Sequence, residues 1–283
     1  MKLIFLGGTY FSEKMLEALF DAKADIRAVF SIPQKFEIRT KTHSKTTEYI
    51  NTNYADLDSM ARERGIPSYI VNGGSNSLER YRGVFEEIKP DIILVLGWYY
   101  IISQTIRSLA KVATLGIHAS LLPKYAGGSP LVWALMNGEK ETGVTLFRMD
   151  DGIDTGDILK QKSIPISFED DIQSLYEKVI FESRNLLISG LSELASGTAQ
   201  FIPQDKKQGV PFPIRKPEDG AIDWTQSSNQ IYNFVRAQTR PYPCAFSFFN
   251  QKKVKLTHDT SDLSKGVFVF EIFISDESRG INQ

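Results

Sequence analysis

Asp91-Ile92-Ile93-Leu94-Val95-Leu96-Gly97-Trp98-Tyr99-Tyr100 is the stretch that decides the fold. Ile92 to Leu96 carry no polar side chain, as expected of a strand buried on both faces of a parallel sheet. Gly97 ends the run, and aromatic residues follow. Working back from it, Leu3-Ile4-Phe5-Leu6 is a second such run, closed by Gly7-Gly8. Met15, Leu16, Leu19 and Phe20 then recur at helical spacing, and Ile26 to Phe30 read as a strand, which completes a βαβ unit. Asp56 before Leu57, Met60 and Ala61 predicts a capped helix ending near Gly65-Ile66-Pro67. Tyr69 to Val71 is a short strand, and Leu78, Tyr81, Phe85 and Ile88 form another helical stripe. Strands alternating with helices predict an α/β fold with a mostly parallel sheet. Ligands of such sheets bind beyond the carboxyl ends of the strands. Three places follow from that rule: Gly7-Gly8, Gly97, and His118 after the strand Ala113 to Ile117.

Downstream of about residue 168 the pattern changes. Asp170 to Ala195 reads as one long helix. Residues 203–223, rich in Pro, Gly and charge, read as a linker or an extended excursion. Ile231, Phe234 and Val235 suggest a further helix, and Phe246 to Leu256 with Val267 to Ile274 a small β-unit. The expected division is a main domain over 1–202, and a linker with a small α+β subdomain over 203–283. A hydrophobic content of 42% against 24% charged allows a real core. A net charge of −1 provides no field that would attract nucleic acid or an anionic membrane. The single cysteine, Cys244, excludes an internal disulfide, and no Cys/His cluster suggests a metal. The apolar start is too short for a signal peptide, and no run reaches the ~20 residues of a membrane helix. A soluble cytoplasmic protein without a metal is therefore expected, and a homodimer is compatible with the chain.

The chemistry concentrates in Gly116-Ile117-His118-Ala119-Ser120-Leu121-Leu122-Pro123-Lys124-Tyr125-Ala126-Gly127-Gly128-Ser129-Pro130 and, further on, Asp150-Asp151-Gly152-Ile153-Asp154-Thr155-Gly156-Asp157. A histidine at a strand's carboxyl end can take or give a proton near neutral pH. A lone histidine is more often structural. The Gly-rich loop after His118 reverses that weighting, because glycine lets backbone come close to a ligand. The acids around Asp154 lack EF-hand spacing, so calcium is discounted. Gly7-Gly8-Thr9 is neither a dinucleotide fingerprint nor a P-loop. It reads as a tight turn lining a substrate cleft, with Gly8, Thr9, Tyr10, Lys124, Gly127 and Gly128 as candidate substrate contacts. Lys35, Arg39, Lys41 and Lys45 form a weak basic run, read as a solvated loop.

With these motifs the chain resembles the folate-dependent formyltransferases over residues 1 to about 250. The resemblance rests on His118-Ala119-Ser120-Leu121-Leu122-Pro123 and on the Gly143…Asp154-Thr155-Gly156 segment. It implies a Rossmann-like formyltransferase domain with a small C-terminal domain. It also implies transfer of a formyl group from N10-formyltetrahydrofolate to an amine. In the family's Asn-x-His…Asp triad, His118 takes the histidine's place and Asp154 the aspartate's. Gly116 stands where the asparagine would. Loss of one oxyanion donor typically costs ~10²–10³ in rate. Gly116 therefore predicts a weak or inactive protein, or a donor supplied by water or a neighbouring backbone N–H. The resemblance further implies a pterin wall from Leu96, Gly97, Trp98, Tyr99 and Ile101, from Ser120, Leu121, Leu122 and Pro123, and from Asp150, Asp151 and Gly152. For the acceptor amine, an amino-sugar nucleotide is favoured. The segment Phe36 to His43 has little of the glycine of the tRNA enzymes' loop, and the net charge suits no RNA platform. Methionyl-tRNA is the runner-up, and a catalytically silent folate or nucleotide binder the third reading.

Overall fold

The structure, a computed structural model, describes residues 1–39, 46–72, 77–205, 211–259 and 269–274. Two compact units emerge: Met1–His118 with Val144–Lys162 and Ile180–Gln208, and Ala119–Gly143 with Ser163–Val179 and Gly209–Gln283. The apolar runs become the middle of a seven-stranded sheet. Its strands are β1 (Lys2–Leu6), β2 (Asp25–Ser31), β5 (Ser68–Ile70), β6 (Ile92–Val95), β7 (Ala113–His118), β8 (Glu141–Arg148) and β9 (Ile158–Pro165), in the order β5-β2-β1-β6-β7-β8-β9. Pairing is parallel from β5 through β7 and antiparallel between β7 and β8. The sheet is thus mostly parallel, the Rossmann-like arrangement expected. Leu3 to Leu6 and Ile92 to Leu94 are at most 2% exposed, which explains why both runs lack a polar alternate.

α1 (Tyr10–Asp21) follows β1 directly, capped by Thr9 in a reciprocal box with Ser12. Asp56 caps α2 (Leu57–Arg62) as predicted, accepting from Ser59 N at 3.1 Å. The Leu78–Ile88 stripe divides into a 3₁₀ turn (Ser77–Tyr81) and α3 (Arg82–Ile88). α4 (Gln104–Arg107) and α5 (Pro130–Met136) are short, and the long helix α6 runs Ile172–Ser196. Below one face of the sheet, Phe30 stacks on Tyr69 and Phe85, each 4.9 Å between ring centroids.

Several elements had no reading in the sequence, among them β3 (Lys35–Arg39), β4 (Thr46–Ile50) and β9. β3 and β4 pair as an antiparallel hairpin, so Lys35 and Arg39 stand on a strand and not in a loop. Lys41 and Lys45 lie outside the described residues. β9 was missed because its polar residues Lys160, Gln161 and Lys162 hide the period of an edge strand.

In the second unit, α7 (Ser228–Arg236) packs against β10 (Ala245–Phe249) and β11 (Lys252–Asp259), and β12 (Val269–Ile274) pairs with β11. The sequence's Phe246–Leu256 run is two strands, turned by the positive-φ pair Asn250-Gln251. Val235, Ala245, Val254 and Leu256 form the small core there. Among the described residues no helix is long and apolar enough to cross a membrane.

Candidate active site

The carboxyl ends of β1, β6 and β7 come together in the first unit. After β1 the chain turns at Gly7-Gly8. Ser12 Oγ accepts from Gly8 N at 3.0 Å and Thr9 N at 3.1 Å and donates to Leu96 O at 2.6 Å. The turn after β1 is thereby tied to the end of β6. Gly97 has φ +68°, and a Cβ there would collide with the Thr9 and Ser12 side chains, so both backbone conformation and space demand glycine. Asn51, 3% exposed, donates to Gly8 O at 2.7 Å and accepts from the Tyr99 hydroxyl at 3.0 Å and Asn53 N at 3.1 Å. Tyr10 N donates to Asn53 O at 2.8 Å. Gly8, Thr9, Tyr10, Leu96, Gly97 and Tyr99 therefore belong to one bonded cluster. Trp98 and Met149 pack against the Phe30-containing core beneath it, while Ile101 is largely exposed.

His118 ends β7 and is 9% exposed. Its Nδ1 lies 3.4 Å from Asp154 Oδ2. Two arrangements hold that contact. On β8, Thr145 stands opposite His118 and accepts a 2.8 Å hydrogen bond from Gln161 Nε2. On the following turn, Asp154 takes φ +55°, and its carbonyl and that of Gly156 both accept from Gln204 Nε2, at 2.9 and 2.6 Å. The acids crowded in sequence separate to different partners. Asp151 pairs with Arg107, which also donates to Ile102 O at 2.8 Å. Asp157 pairs with Arg148 at 3.7 Å. Asp150 accepts from Gly152 N at 3.0 Å and Thr155 Oγ1 at 2.7 Å. Asp154 turns its carboxylate to His118. Thr145 lies in the Gly143…Asp154 segment, and Asn51 opens the Asn51–Asp56 stretch that the sequence reading sets beside the sugar-nucleotide branch. Arg107, Gln161 and Gln204 are ordinary polar residues outside the motifs, and no local pattern marks them.

Gly116 faces Phe147 across the β7–β8 pair. A Cβ at 116 would lie 3.1 Å from Phe147 Cε1 and 3.5 Å from Met149 Cγ. The space beside Gly116 is thus bounded by an aromatic ring that is itself 4% exposed.

Residues 119–128 belong to the second unit. Ser120 Oγ donates to Lys124 O at 2.6 Å, and Lys124 N to Leu121 O at 3.0 Å, which folds Ser120-Leu121-Leu122-Pro123 into a compact turn with a cis bond before Pro123. At Gly127 and Gly128 the close neighbour is protein: Gly128 N donates to Phe212 O at 2.8 Å, and a Cβ on Gly128 would lie 2.6 Å from Ile214 Cα. Among the described residues no cluster of His, Cys, Asp and Glu could hold a metal.

A formyl transferase model matches residues 1–191, and a formyl transferase C-terminal domain model matches residues 215–265. The methionyl-tRNA formyltransferase of Caldanaerobacter subterraneus subsp. tengcongensis is 32% identical over 258 residues, covering 90% of this chain and 79% of that protein. A sugar N-formyltransferase from a Shewanella species superposes with a TM-score of 0.67 at 20% identity, covering 91% of this chain and 96% of that one. An N-formyltransferase from Helicobacter canadensis, in complex with folinic acid and dTDP-3-aminofucose, gives a TM-score of 0.65 at 21% identity over 92% of this chain and 89% of that one.

Proposed function

Because the chain belongs to the folate-dependent formyltransferase family, we propose that it carries a formyl group from N10-formyltetrahydrofolate to the primary amine of an amino-sugar nucleotide, with His118 and Asp154 at the reacting centre. The observation that carries this reading is the 3.4 Å approach of Asp154 Oδ2 to His118 Nδ1 at the end of β7. A carboxylate on Nδ1 fixes the ring's orientation, which leaves Nε2, on the ring's other edge, for the reacting groups. The acceptor's nitrogen attacks the formyl carbon, and the carbonyl oxygen gains charge. The bond from that carbon to N10 then breaks, and the proton lost by the amine ends on N10. Protonated His118 would stabilise the charged oxygen, with Asp154 orienting the ring. Holding both reactants in place supplies much of the rate.

Leu96, Gly97, Trp98, Tyr99 and Ile101 are assigned to the pterin wall together with Asp150, Asp151, Gly152 and the Ser120–Pro123 turn. Gly8, Thr9, Tyr10, Lys124, Gly127 and Gly128 are assigned to the acceptor. The bonding of Gly8 to Asn51 and of Asn51 to Tyr99 supports the first two groups as neighbours. Residues 1–202 are taken as the catalytic portion and 203–283 as the appended one. The amino-sugar acceptor is supported by the net charge of −1 and by folds of the sugar-formylating kind among the structural neighbours. Methionyl-tRNA is the second reading, favoured by the 258-residue similarity to a tRNA enzyme.

The deciding experiment measures tetrahydrofolate release from N10-formyltetrahydrofolate with a panel of aminodeoxy sugar nucleotides and with charged initiator tRNA. Turnover with at least one sugar nucleotide and none with tRNA is expected. Turnover with tRNA alone installs the second reading. Folate binding without turnover of any acceptor leaves a silent binder.

A further inference from the structure

The second unit holds a cavity of about 290 Å³ that the formyl-transfer reading does not use. Arg236, the last residue of α7, lines it and is 4% exposed. Its Nη1 donates to the carbonyls of Ser167, Phe168 and Asp170 at 3.0, 3.2 and 2.6 Å, and its Nε to Asn233 Oδ1 at 2.9 Å. Every acceptor is neutral, and the guanidinium lies 5.3 Å from the centroid of the Tyr232 ring. Nη2 has no acceptor among the described residues, and no carboxylate stands within ion-pair distance. Buried charges are ordinarily paired, so a guanidinium in this state is incomplete.

Of the neighbouring acids, Glu169 acts on Arg236 through its field alone, and the others are committed elsewhere. Asp170 accepts from Lys178 at 2.6 Å, from Ser167 N at 2.7 Å and from Ser174 Oγ at 2.9 Å. Asp171 accepts from Ser174 N at 2.8 Å. Glu139, on the cavity wall, takes the Tyr125 hydroxyl at 2.7 Å. Burial pushes the Arg236 pKa down, opposed by the fields of Tyr232, Asp170, Asp171 and Glu169, and none of these acids gives it a hydrogen bond from a carboxylate.

Two more groups of the wall are donors. Asn233 spends its Oδ1 on Arg236, so its Nδ2 faces the other way, toward Gly138, where a Cβ would lie 3.0 Å from it. Nδ2 has no acceptor among the described residues. Lys140 is exposed on the same wall and forms no ion pair among the described residues. Phe168, half exposed and stacked on Tyr232 with ring centroids 4.7 Å apart, adds an aromatic surface.

We propose that this cavity is a second binding site, for the phosphate group of a small phosphorylated metabolite. Arg236 Nη2 and Asn233 Nδ2 donate to its oxygens, Lys140 is the outer cation, and Phe168 borders the rest of the molecule. A fixed guanidinium fork suits oxyanions, and charge-assisted bonds of this type are the strong ones. The volume exceeds what a phosphate needs and approaches the ~300 Å³ of the smaller metabolite pockets. All of the residues named lie in the second unit, which contains neither His118 nor Asp154.

The test is calorimetric titration of the whole chain with inorganic pyrophosphate, with thymidine monophosphate, and with citrate as a carboxylate arm. Both phosphate probes should bind, and more tightly than citrate. Lys140→Glu, at an exposed position, should weaken them at least tenfold. Asn233→Asp should do the same without loss of fold, because its carboxylate pairs with Arg236 and occupies the guanidinium. His118→Ala should bind both probes as the wild type does. Unchanged affinity in Lys140→Glu and Asn233→Asp, or no binding of either phosphate probe, overturns the site. Loss of binding in His118→Ala places the probes at the transfer centre and also overturns it. Preference for citrate overturns the phosphate assignment.

Discussion

His118, Asp154 and Gly116 answer different questions about the same few ångströms. Removing a positioned acid–base group usually costs roughly 10²–10⁴-fold in rate. His118→Ala and Asp154→Asn should each lose formyl transfer on that scale with little change in Tm, since the pair sits at the end of β7 and not in the central core. Tetrahydrofolate release by the purified variants checks it, and near-wild-type turnover in either removes the assigned roles. Gly116→Asn tests whether an oxyanion donor is simply missing. The sequence leaves two outcomes: a faster enzyme, or a flat or slower one if another donor fills the space. The packing against Phe147 favours the second. An asparagine Cβ would arrive 3.1 Å from the Phe147 ring, which must move aside. Overpacking a filled site costs about 1–3 kcal/mol. Gly116→Asn is therefore expected to lower the urea midpoint without raising turnover. A rate gain with unchanged stability would show that Phe147 yields freely and that the donor was absent.

At the scale of elements, the start of α6 depends on Asp170, which is 4% exposed. Burial favours its neutral form, but hydrogen bonds from Lys178, Ser167 N and Ser174 outweigh that and hold its carboxyl below the usual range. A depressed carboxyl pKa adds stability that is complete above the unfolded value, about 3.9, and is lost as the pH falls through the folded value. Wild-type Tm should fall below about pH 4 partly for this reason. Asp170→Asn should be less stable at pH 7 by about 1–3 kcal/mol, from donors left without a charged acceptor. Its Tm should also fall less steeply in acid. Parallel Tm–pH curves for the two proteins would assign the acid limb to other groups.

For the whole molecule, the governing quantity is a net charge of −1 spread over 283 residues. Counterion release on binding RNA requires clustered cations, and nonspecific complexes have Kd values of roughly 10⁻⁴–10⁻⁶ M at physiological salt. Binding to tRNA should fall in that weak range, with no preference for initiator over elongator species. Filter binding at several salt concentrations measures it. A tight complex that discriminates among tRNAs would favour the acceptor suggested by the sequence relatives.

Periodicity along the chain was enough for the central strands. Leu3 to Leu6 and Ile92 to Leu96 could be buried on both faces in no other way, because every residue in them is apolar. The same local reading placed His118 at a strand's end and Asp154 in a glycine-flanked turn. It could not see β9, whose polar residues mask a strand, or the β3–β4 hairpin, whose first strand carries the cations Lys35 and Arg39 that read as a solvated loop. Register across the sheet is also a nonlocal property. Only the folded chain puts Phe147 against Gly116, Thr145 opposite His118, Asn51 between Gly8 and Tyr99, and Arg236, with neutral acceptors, in the wall of a cavity. A residue's type and its near neighbours limit what chemistry it can perform. What it meets is decided by hydrogen bonds and packing between residues distant in sequence, and those form only when the sheet and helices close on one another.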